Sequence, residues 1–221
     1  MMRPLISEMF GTFALVFFGT GAIVVNDLSD GIVSHAGIAL TFGLIVLAMI
    51  YALGDISGAH LNPAVTMGFW AARRLPSRLV LPYITSQLLG AIAASLLLRR
   101  FFLNHSTLGA THPAGTSMQS FVLEIVLTLV LMFVILAVST GAKEKGITAG
   151  IAVGAVIALE ALFAGPISGA SMNPARSIAP ALVTLDVTHL WVYIAAPLVG
   201  SFLAVPLCRS IHQNGCCDHA T

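Results

Sequence analysis

The chain has 221 residues, of which 57% are hydrophobic and only 9% are charged, whereas an ordinary soluble domain is about 25% charged. This composition excludes a soluble globular protein, because it supplies too few charged side chains to cover a surface in water. Ten basic and nine acidic residues leave a net charge of +1, so the sequence offers no basic face for nucleic acid.

Six apolar runs follow one another along the chain, and each is close to the length of about 20 residues with which a helix spans a bilayer. The first run contains Glu8 and has no small-residue cleavage site, so we interpret it as a retained span rather than a signal peptide. We therefore predict an all-α membrane protein with six transmembrane helices. The runs cover residues 5–25, 35–53, 80–98, 119–140, 147–164 and 188–208.

Two shorter apolar segments, residues 63–72 and 174–183, are helix-like but only about half as long as a span must be. Each begins at a proline, which suits the first turn of a helix because the missing N–H has no helical partner there. We predict two half-helices that enter the membrane without crossing it. The three cysteines all fall at the C-terminal end, at positions 208, 216 and 217, so no disulfide network is expected among the spans.

The distribution of basic residues predicts the orientation. Six spans place both termini on one side, together with the loops after the second and fourth spans, and that side collects most of the basic residues. The termini are therefore expected in the cytoplasm, although Arg99 and Arg100 on the opposite side run against the rule. Because the termini are short, we expect the inner membrane of a bacterium. The residues on the cytoplasmic side are Arg3, Arg73, Arg74, Arg78, Lys143, Lys145 and Arg209.

The sequence contains an internal repeat. Residues 56–65 recur as residues 167–176 with seven of ten positions identical. Glu8 and Glu124 occupy matched positions in the first span of each half, so the repeats extend over about 5–105 and 118–209. Each half holds three spans, an odd number, and the second half therefore enters the membrane upside down.

The inversion brings the two half-helices in from opposite faces, so that their N-termini meet near the midplane. Non-helical backbone at that depth is tolerated only where protein buries it or where it lines a water-filled path. We therefore expect residues 1–221 to form a single membrane channel domain. Two helix N-termini repel cations, the asparagine side chains offer donors, and the loops that include Gly58 and His60 offer carbonyl acceptors. The residues expected at the meeting point are Asn62, Pro63, Ala64, Asn173, Pro174 and Ala175.

Two Asn-Pro-Ala boxes in an inverted six-span repeat resemble the aquaporin or major intrinsic protein family. Within it, residues 57–60 and 165–172 resemble the nodulin-like intrinsic proteins of plants and their bacterial relatives. The resemblance implies a homotetramer in the lipid bilayer, with one passive pore in each subunit. The histidines show no metal-ligand spacing, so we expect no metal site and no cofactor.

The resemblance also implies a selectivity filter formed by Phe42, Ala161, Ala170 and Arg176. Water-selective members carry a histidine at the position of Ala161, so its absence leaves room for solutes larger than water. Ser177 is unlike the aspartate of glycerol facilitators. These residues favour a channel for water and small uncharged hydroxylated solutes such as glycerol, urea and arsenous, boric or silicic acid, with exclusion of protons and ions. The alternative is a strictly water-selective aquaporin.

Three acidic residues lie inside predicted spans. The symmetry of Glu8 and Glu124 indicates that both accept hydrogen bonds from the loops before the half-helices. Glu160 adjoins Ala161, so it is expected either to brace the second loop or tune the mouth of the pore, or to be a packing carboxylate. Its presence is also the one feature that favours a secondary transporter. An enzyme is not expected, because no nucleophile lies beside a buried base.

Overall fold

A computed structural model of the chain describes residues 2–139 and 143–212. Within these ranges the chain forms eight helices and no strand. Cys216 and Cys217 lie outside the described residues. The helices are α1 (Met2–Leu28), α2 (Ser34–Ser57), α3 (Pro63–Ala71), α4 (Ser77–Phe101), α5 (Ser117–Val138), α6 (Lys143–Ser168), α7 (Pro174–Thr184) and α8 (Leu190–Ile211).

Six of these helices are long and apolar enough to cross a membrane, and they match the six predicted runs. Most are a few residues longer than the apolar run, because the helix continues into polar residues such as Asp55 at the end of α2. The helices α3 and α7 have 9 and 11 residues and are the predicted half-helices. Apolar side chains such as Phe10, Leu81 and Leu159 are more than half exposed on the outside, as a lipid-facing surface requires. The predicted fold class is confirmed.

The long helices pack in three close pairs, α1 with α4, α5 with α8, and α2 with α6. Glycines form the contact in each pair, as is usual where membrane helices approach closely. A Cβ atom on Gly90 would overlap the carbonyl oxygen of Met9, and one on Gly200 would overlap the carbonyl oxygen of Ile125. These two contacts are equivalent in the two halves. They fix the pairs α1–α4 and α5–α8, and the half-helices pack between these pairs.

We expect the substitution Gly90→Ala to destabilise the protein by about 1–3 kcal/mol, the usual cost of overpacking a core. The added methyl group meets backbone of α1, which cannot turn aside as a flexible side chain could. Thermal unfolding of purified protein in detergent measures the effect. Gly54→Ala is the matched control, because a Cβ there has no neighbour within 4 Å. Equal melting temperatures for the two variants would contradict this description of the helix pair.

The structure gives a role to Arg99, one of the two basic residues that run against the expected orientation. Arg99 donates from Nη1 to the carbonyl oxygens of Leu103 and His105, at 3.2 and 2.7 Å. These carbonyls follow the end of α4, where the helix leaves backbone acceptors without helical partners. Arg99 thus stabilises the loop after α4. This contact explains why a basic residue stands at the end of α4, whichever side of the membrane the loop faces.

Candidate functional site

The two half-helices begin in the same way. Asn62 and Asn173 are their N-caps, and a proline follows each as the first helical residue. The Asn62 Oδ1 accepts from the backbone N–H of Ala64 at 2.8 Å, and the Asn173 Oδ1 accepts from that of Ala175 at 3.0 Å. Each asparagine oxygen is therefore used to cap its own helix, and the amide nitrogen is left for other partners.

The N-termini of the half-helices meet, because each asparagine reaches into the opposite half of the chain. Asn62 Nδ2 donates to the carbonyl oxygen of Met172 at 2.8 Å, and Asn173 Nδ2 donates to that of Leu61 at 2.9 Å. An amide group has two N–H donors, so each side chain keeps one donor after this contact. Both asparagines line the same central cavity, and the remaining donors are available to a molecule within it.

The segments before the asparagines, residues 58–62 and 169–173, are called here the first and second pore loops. Both contain residues in the left-handed region, where non-glycine residues are strained by about 1–3 kcal/mol each. The carbonyl oxygens of residues 58–60 and 169–171 accept no hydrogen bond from the described part of the chain. These oxygens are available as acceptors along the cavity. The left-handed residues are Gly58, Ala59 and Leu61 in the first loop and Gly169, Ala170 and Met172 in the second.

The first pore loop is held by Glu8, which is fully buried on α1. Its carboxylate accepts from the backbone N–H groups of His60 and Leu61 at 2.9 and 2.7 Å, and from the Ser57 hydroxyl at 2.7 Å. The Gln87 amide on α4 donates to the same carboxylate at 2.7 Å. Four donors around one carboxylate fix the loop in its strained conformation.

The second pore loop repeats this arrangement around Glu124 on α5, which is also fully buried. The Ser168 hydroxyl and the backbone N–H groups of Ser171 and Met172 each donate to its carboxylate at 2.8 Å. A tyrosine adds one contact to the last residue before each loop. Tyr193 donates to the Ser168 carbonyl oxygen at 2.7 Å. In the first half, Tyr83 on α4 donates in the same way to the Ser57 carbonyl oxygen at 3.0 Å.

His60 contributes to the first pore loop through its ring as well as its backbone. The ring stacks on Phe69 with the centroids 4.4 Å apart, and Nδ1 lies 3.2 Å from the hydroxyl of Thr66. Gly58 ends α2 in a left-handed conformation, with its N–H donating to the carbonyl oxygen of Gly54 at 2.8 Å. These contacts turn the chain from the end of a span into the pore loop.

The four residues expected in the filter line one cavity. Arg176 is 2% exposed, and its Nη1 donates to the carbonyl oxygen of Gly109 at 2.8 Å. Its guanidinium carbon lies 5.3 Å from the centroid of the Phe42 ring, a cation–π distance. Nε and Nη2 make no hydrogen bond with the described residues. Ala161 and Ala170 add only methyl groups, so the arginine is the filter's side-chain donor.

Glu160 differs from Glu8 and Glu124 in its surroundings. Its side chain is 3% exposed, yet neither carboxylate oxygen has a hydrogen-bond partner among the residues that the structure describes. The second pore loop is held by the carboxylate of Glu124, and no hydrogen bond joins Glu160 to that loop. Glu160 lies on α6 next to the filter residue Ala161, and the cavity lining does not include it.

We expect Glu160→Gln to leave water permeability unchanged and to raise the melting temperature. A buried carboxylate without partners is costly once it is ionised, and the neutral amide removes that cost without changing the side-chain volume. Stopped-flow swelling of proteoliposomes and thermal unfolding in detergent test the two parts. A loss of water permeability at equal protein content would assign Glu160 to the pore after all.

Comparison with known proteins agrees with this geometry. The sequence profile described as Major intrinsic protein matches residues 1–207. The chain belongs to the major intrinsic protein family. It is therefore an integral membrane channel rather than an enzyme. Because the members of this family are channels, the alternative of a secondary transporter is excluded.

Several plant members of the major intrinsic protein family are similar along most of the chain. Aquaporin NIP1-4 of Oryza sativa subsp. japonica is 51% identical over 201 residues, which are 90% of this chain and 73% of that protein. Aquaporin NIP1-1 of Zea mays is 48% identical, with coverage of 90% and 71%. Nodulin-26 of Glycine max is 43% identical, with coverage of 90% and 74%. The resemblance to nodulin-like members is confirmed.

A solved structure of the same family superimposes closely. The X-ray structure of the aquaglyceroporin from Plasmodium falciparum gives a TM-score of 0.85 at 27% identity, covering 96% of this chain and 97% of that one. The arrangement of six spans and two half-helices is thus shared with an aquaglyceroporin, and this major intrinsic protein has the fold of a channel for water and small solutes.

Several supporting residues of this major intrinsic protein were missed in the sequence. Gln87 and Ser201 are fully buried polar residues within apolar spans, and Ser201 donates to the Ala64 carbonyl oxygen at 2.6 Å. A polar residue in a span was the available signal. No pattern indicated Gly109, which holds Arg176 through its backbone and lies in an irregular loop between α4 and α5.

Proposed function

We propose that the chain forms a passive channel for water and small uncharged hydroxylated solutes, and that Phe42, Ala161, Ala170 and Arg176 are its filter. The observation that carries the proposal is the pairing of two methyl side chains with one partly unpaired guanidinium on the same cavity. The small residues leave space for a molecule wider than water. The free N–H groups of Arg176 favour solutes that bring hydroxyl acceptors.

The channel excludes ions and protons by electrostatics. Two half-helix N-termini each contribute about half a positive charge at the centre, and Arg176 adds a full charge at one end of the cavity. A water molecule that accepts from Asn62 and Asn173 turns its oxygen toward both, which interrupts a continuous chain of proton transfer. Anions are excluded as well, because they lose hydration in a largely apolar path, at a cost of several kcal/mol.

Compact neutral acids of metalloids fit the same requirements as glycerol and urea. Arsenous, boric and silicic acids are uncharged and present only hydroxyl groups, so they lose less hydration than an ion. They can accept from Arg176 and donate to the carbonyl oxygens of the pore loops. The set of permeant solutes is proposed from this chemistry, with a strictly water-selective channel as the alternative.

A swelling panel on one batch of proteoliposomes tests the solute range. We expect arsenous acid, boric acid, glycerol and urea to enter faster than into protein-free vesicles, in addition to water. Ala161→His is the companion variant, because an imidazole across from Phe42 fills space that a larger solute needs while water still passes. If only water moves through the wild type, the water-selective alternative is correct. Equal glycerol and urea fluxes in variant and wild type would remove Ala161 from the filter.

The assembly and orientation belong to the same proposal. The chain is taken to form a homotetramer with one pore in each subunit and cytoplasmic termini, as the distribution of basic residues favours. Light scattering of the purified protein gives the subunit number, and protease access in sealed vesicles gives the orientation. The three relatives described above at 43–51% identity are from plants, so they do not support a bacterial inner membrane.

A further inference from the structure

The ring of Phe42 rests against α1 at a position that has no side chain. A Cβ atom on Gly19 would lie within 2.6 Å of three atoms of this ring, Cδ1, Cε1 and Cζ. Ordinary carbon contacts are about 3.5–4.0 Å. The aromatic ring therefore occupies space that any residue other than glycine would fill, and Gly19 itself is buried behind the ring.

We propose that Gly19 is a specificity-determining residue of the filter. Because it lacks a Cβ, the Phe42 ring lies back against α1, and this position sets how much of the cavity remains open beside Arg176. The inference rests on the proposed function, since it concerns the width of the same filter. Gly19 acts through Phe42 and has no place in the cavity lining itself.

The surroundings show why the ring must yield if a side chain is added at Gly19. On α1, Thr20 is fully buried and packs against Gly109, the residue whose carbonyl holds Arg176. On α2, a Cβ atom on Gly43 would lie 2.5 Å from the carbonyl oxygen of Gly154. Both helices are therefore fixed by close backbone contacts, α1 with the loop that contains Gly109 and α2 with α6, so we expect the ring to move rather than the helices.

The direction of the displaced ring follows from its exposure. Phe42 is half-buried and lines the central cavity, so its open side faces the pore, where the Arg176 guanidinium carbon lies 5.3 Å from the ring centroid. The Cβ atom of an alanine at position 19 would lie 2.2 Å from Cε1 of the ring, so the ring must move by roughly 1.5 Å to restore ordinary contact distances. In a filter of single-molecule width, this displacement narrows the path for solutes more than for water.

The test compares Gly19→Ala with Gly21→Ala in proteoliposomes, using urea and glycerol as solutes. Gly21 is the matched control on the same helix, because a Cβ there meets only the flexible end of Leu98 at 3.3 Å. We expect the ratio of solute to water permeability to fall about tenfold in Gly19→Ala, the low end of what one methylene changes in a tight pocket. Gly21→Ala is expected to match the wild type.

A second variant separates the ring from the helix. In Phe42→Leu the smaller side chain leaves space for a methyl group. The double variant with Gly19→Ala is therefore expected to have the same ratio of solute to water permeability as Phe42→Leu alone. An unchanged ratio in folded Gly19→Ala overturns the inference, and so does an equal loss in Gly21→Ala. If Gly19→Ala alone does not fold, folding of the double variant supports the contact with Phe42 and its failure overturns it.

The failure of the proposed function is recognised independently. It appears in the wild type, which would then pass water alone. In that case water permeability per channel replaces the solute ratio as the readout, with a decrease expected in Gly19→Ala and none in Gly21→Ala. Equal water permeability of the two variants then overturns the role of Gly19 without reference to any solute.

Discussion

The variant Glu124→Ala is expected to yield no folded channel. The substitution removes the acceptor of three hydrogen bonds, from the Ser168 hydroxyl and the backbone N–H groups of Ser171 and Met172. A buried donor that loses its partner costs about 1–3 kcal/mol. Three of them together approach the total stability of a typical protein, about 5–15 kcal/mol. The loop strain at Ala170 and Met172 adds to this loss.

Size-exclusion chromatography and thermal unfolding of the detergent-solubilised protein check this expectation. Glu160→Ala is the matched control, because it removes another buried glutamate from a spanning helix, and this one has no hydrogen-bond partner among the described residues. Glu160→Ala is expected to remain monodisperse. A folded and permeable Glu124→Ala variant would show that the second pore loop keeps its conformation without the carboxylate.

The variant Arg176→Val is expected to open the channel to protons and to speed the entry of larger solutes. Valine is the residue at the matched position of the first half, Val65, so the change makes the two halves alike. The guanidinium is the charged side chain that lines the central cavity. Losing about 1.4 kcal/mol of a barrier raises a rate tenfold, and we expect at least about that increase in glycerol flux.

A pH-sensitive dye inside proteoliposomes measures the proton leak of this variant, and light scattering measures glycerol entry. Arg176→Lys separates charge from geometry, since lysine keeps the positive charge but lacks the planar group that binds Gly109 and faces Phe42. We expect it to exclude protons while its solute preference changes. If Arg176→Val shows wild-type values in both assays, Arg176 is not part of the filter.

Much of the architecture could be predicted, because it depends on apolar length, on proline positions and on an internal repeat, and all three can be identified in the sequence. Apolar length gives the spans, and proline after asparagine gives the start of each half-helix. The repeat of residues 56–65 as 167–176 in halves of three spans each implies an inversion, which places the N-termini of the two half-helices together. The pairing of Glu8 with Glu124 suggested their common task for the same reason.

The remaining details depend on packing between segments that are distant in the chain, and no local sequence pattern predicts such contacts. Glu160 is a glutamate within an apolar span, as Glu8 and Glu124 are. The donors of the second pore loop bind Glu124, and the sequence position of Glu160 does not show whether any donor is left for it. Gly109 acts through a carbonyl oxygen that every residue possesses. Gly19 matters through the space that it leaves to Phe42, and that space depends on how closely α1 approaches α2.

We infer that the chain is a passive pore which conducts water without conducting protons. The most direct measurement records water permeability and proton flux in the same proteoliposomes of wild-type protein, with protein-free vesicles alongside. The expected result is water permeability well above that of protein-free vesicles, with proton flux equal to theirs and no effect of a proton gradient on water flow. A proton flux that rises with protein content, or water flow that depends on the gradient, would contradict the claim.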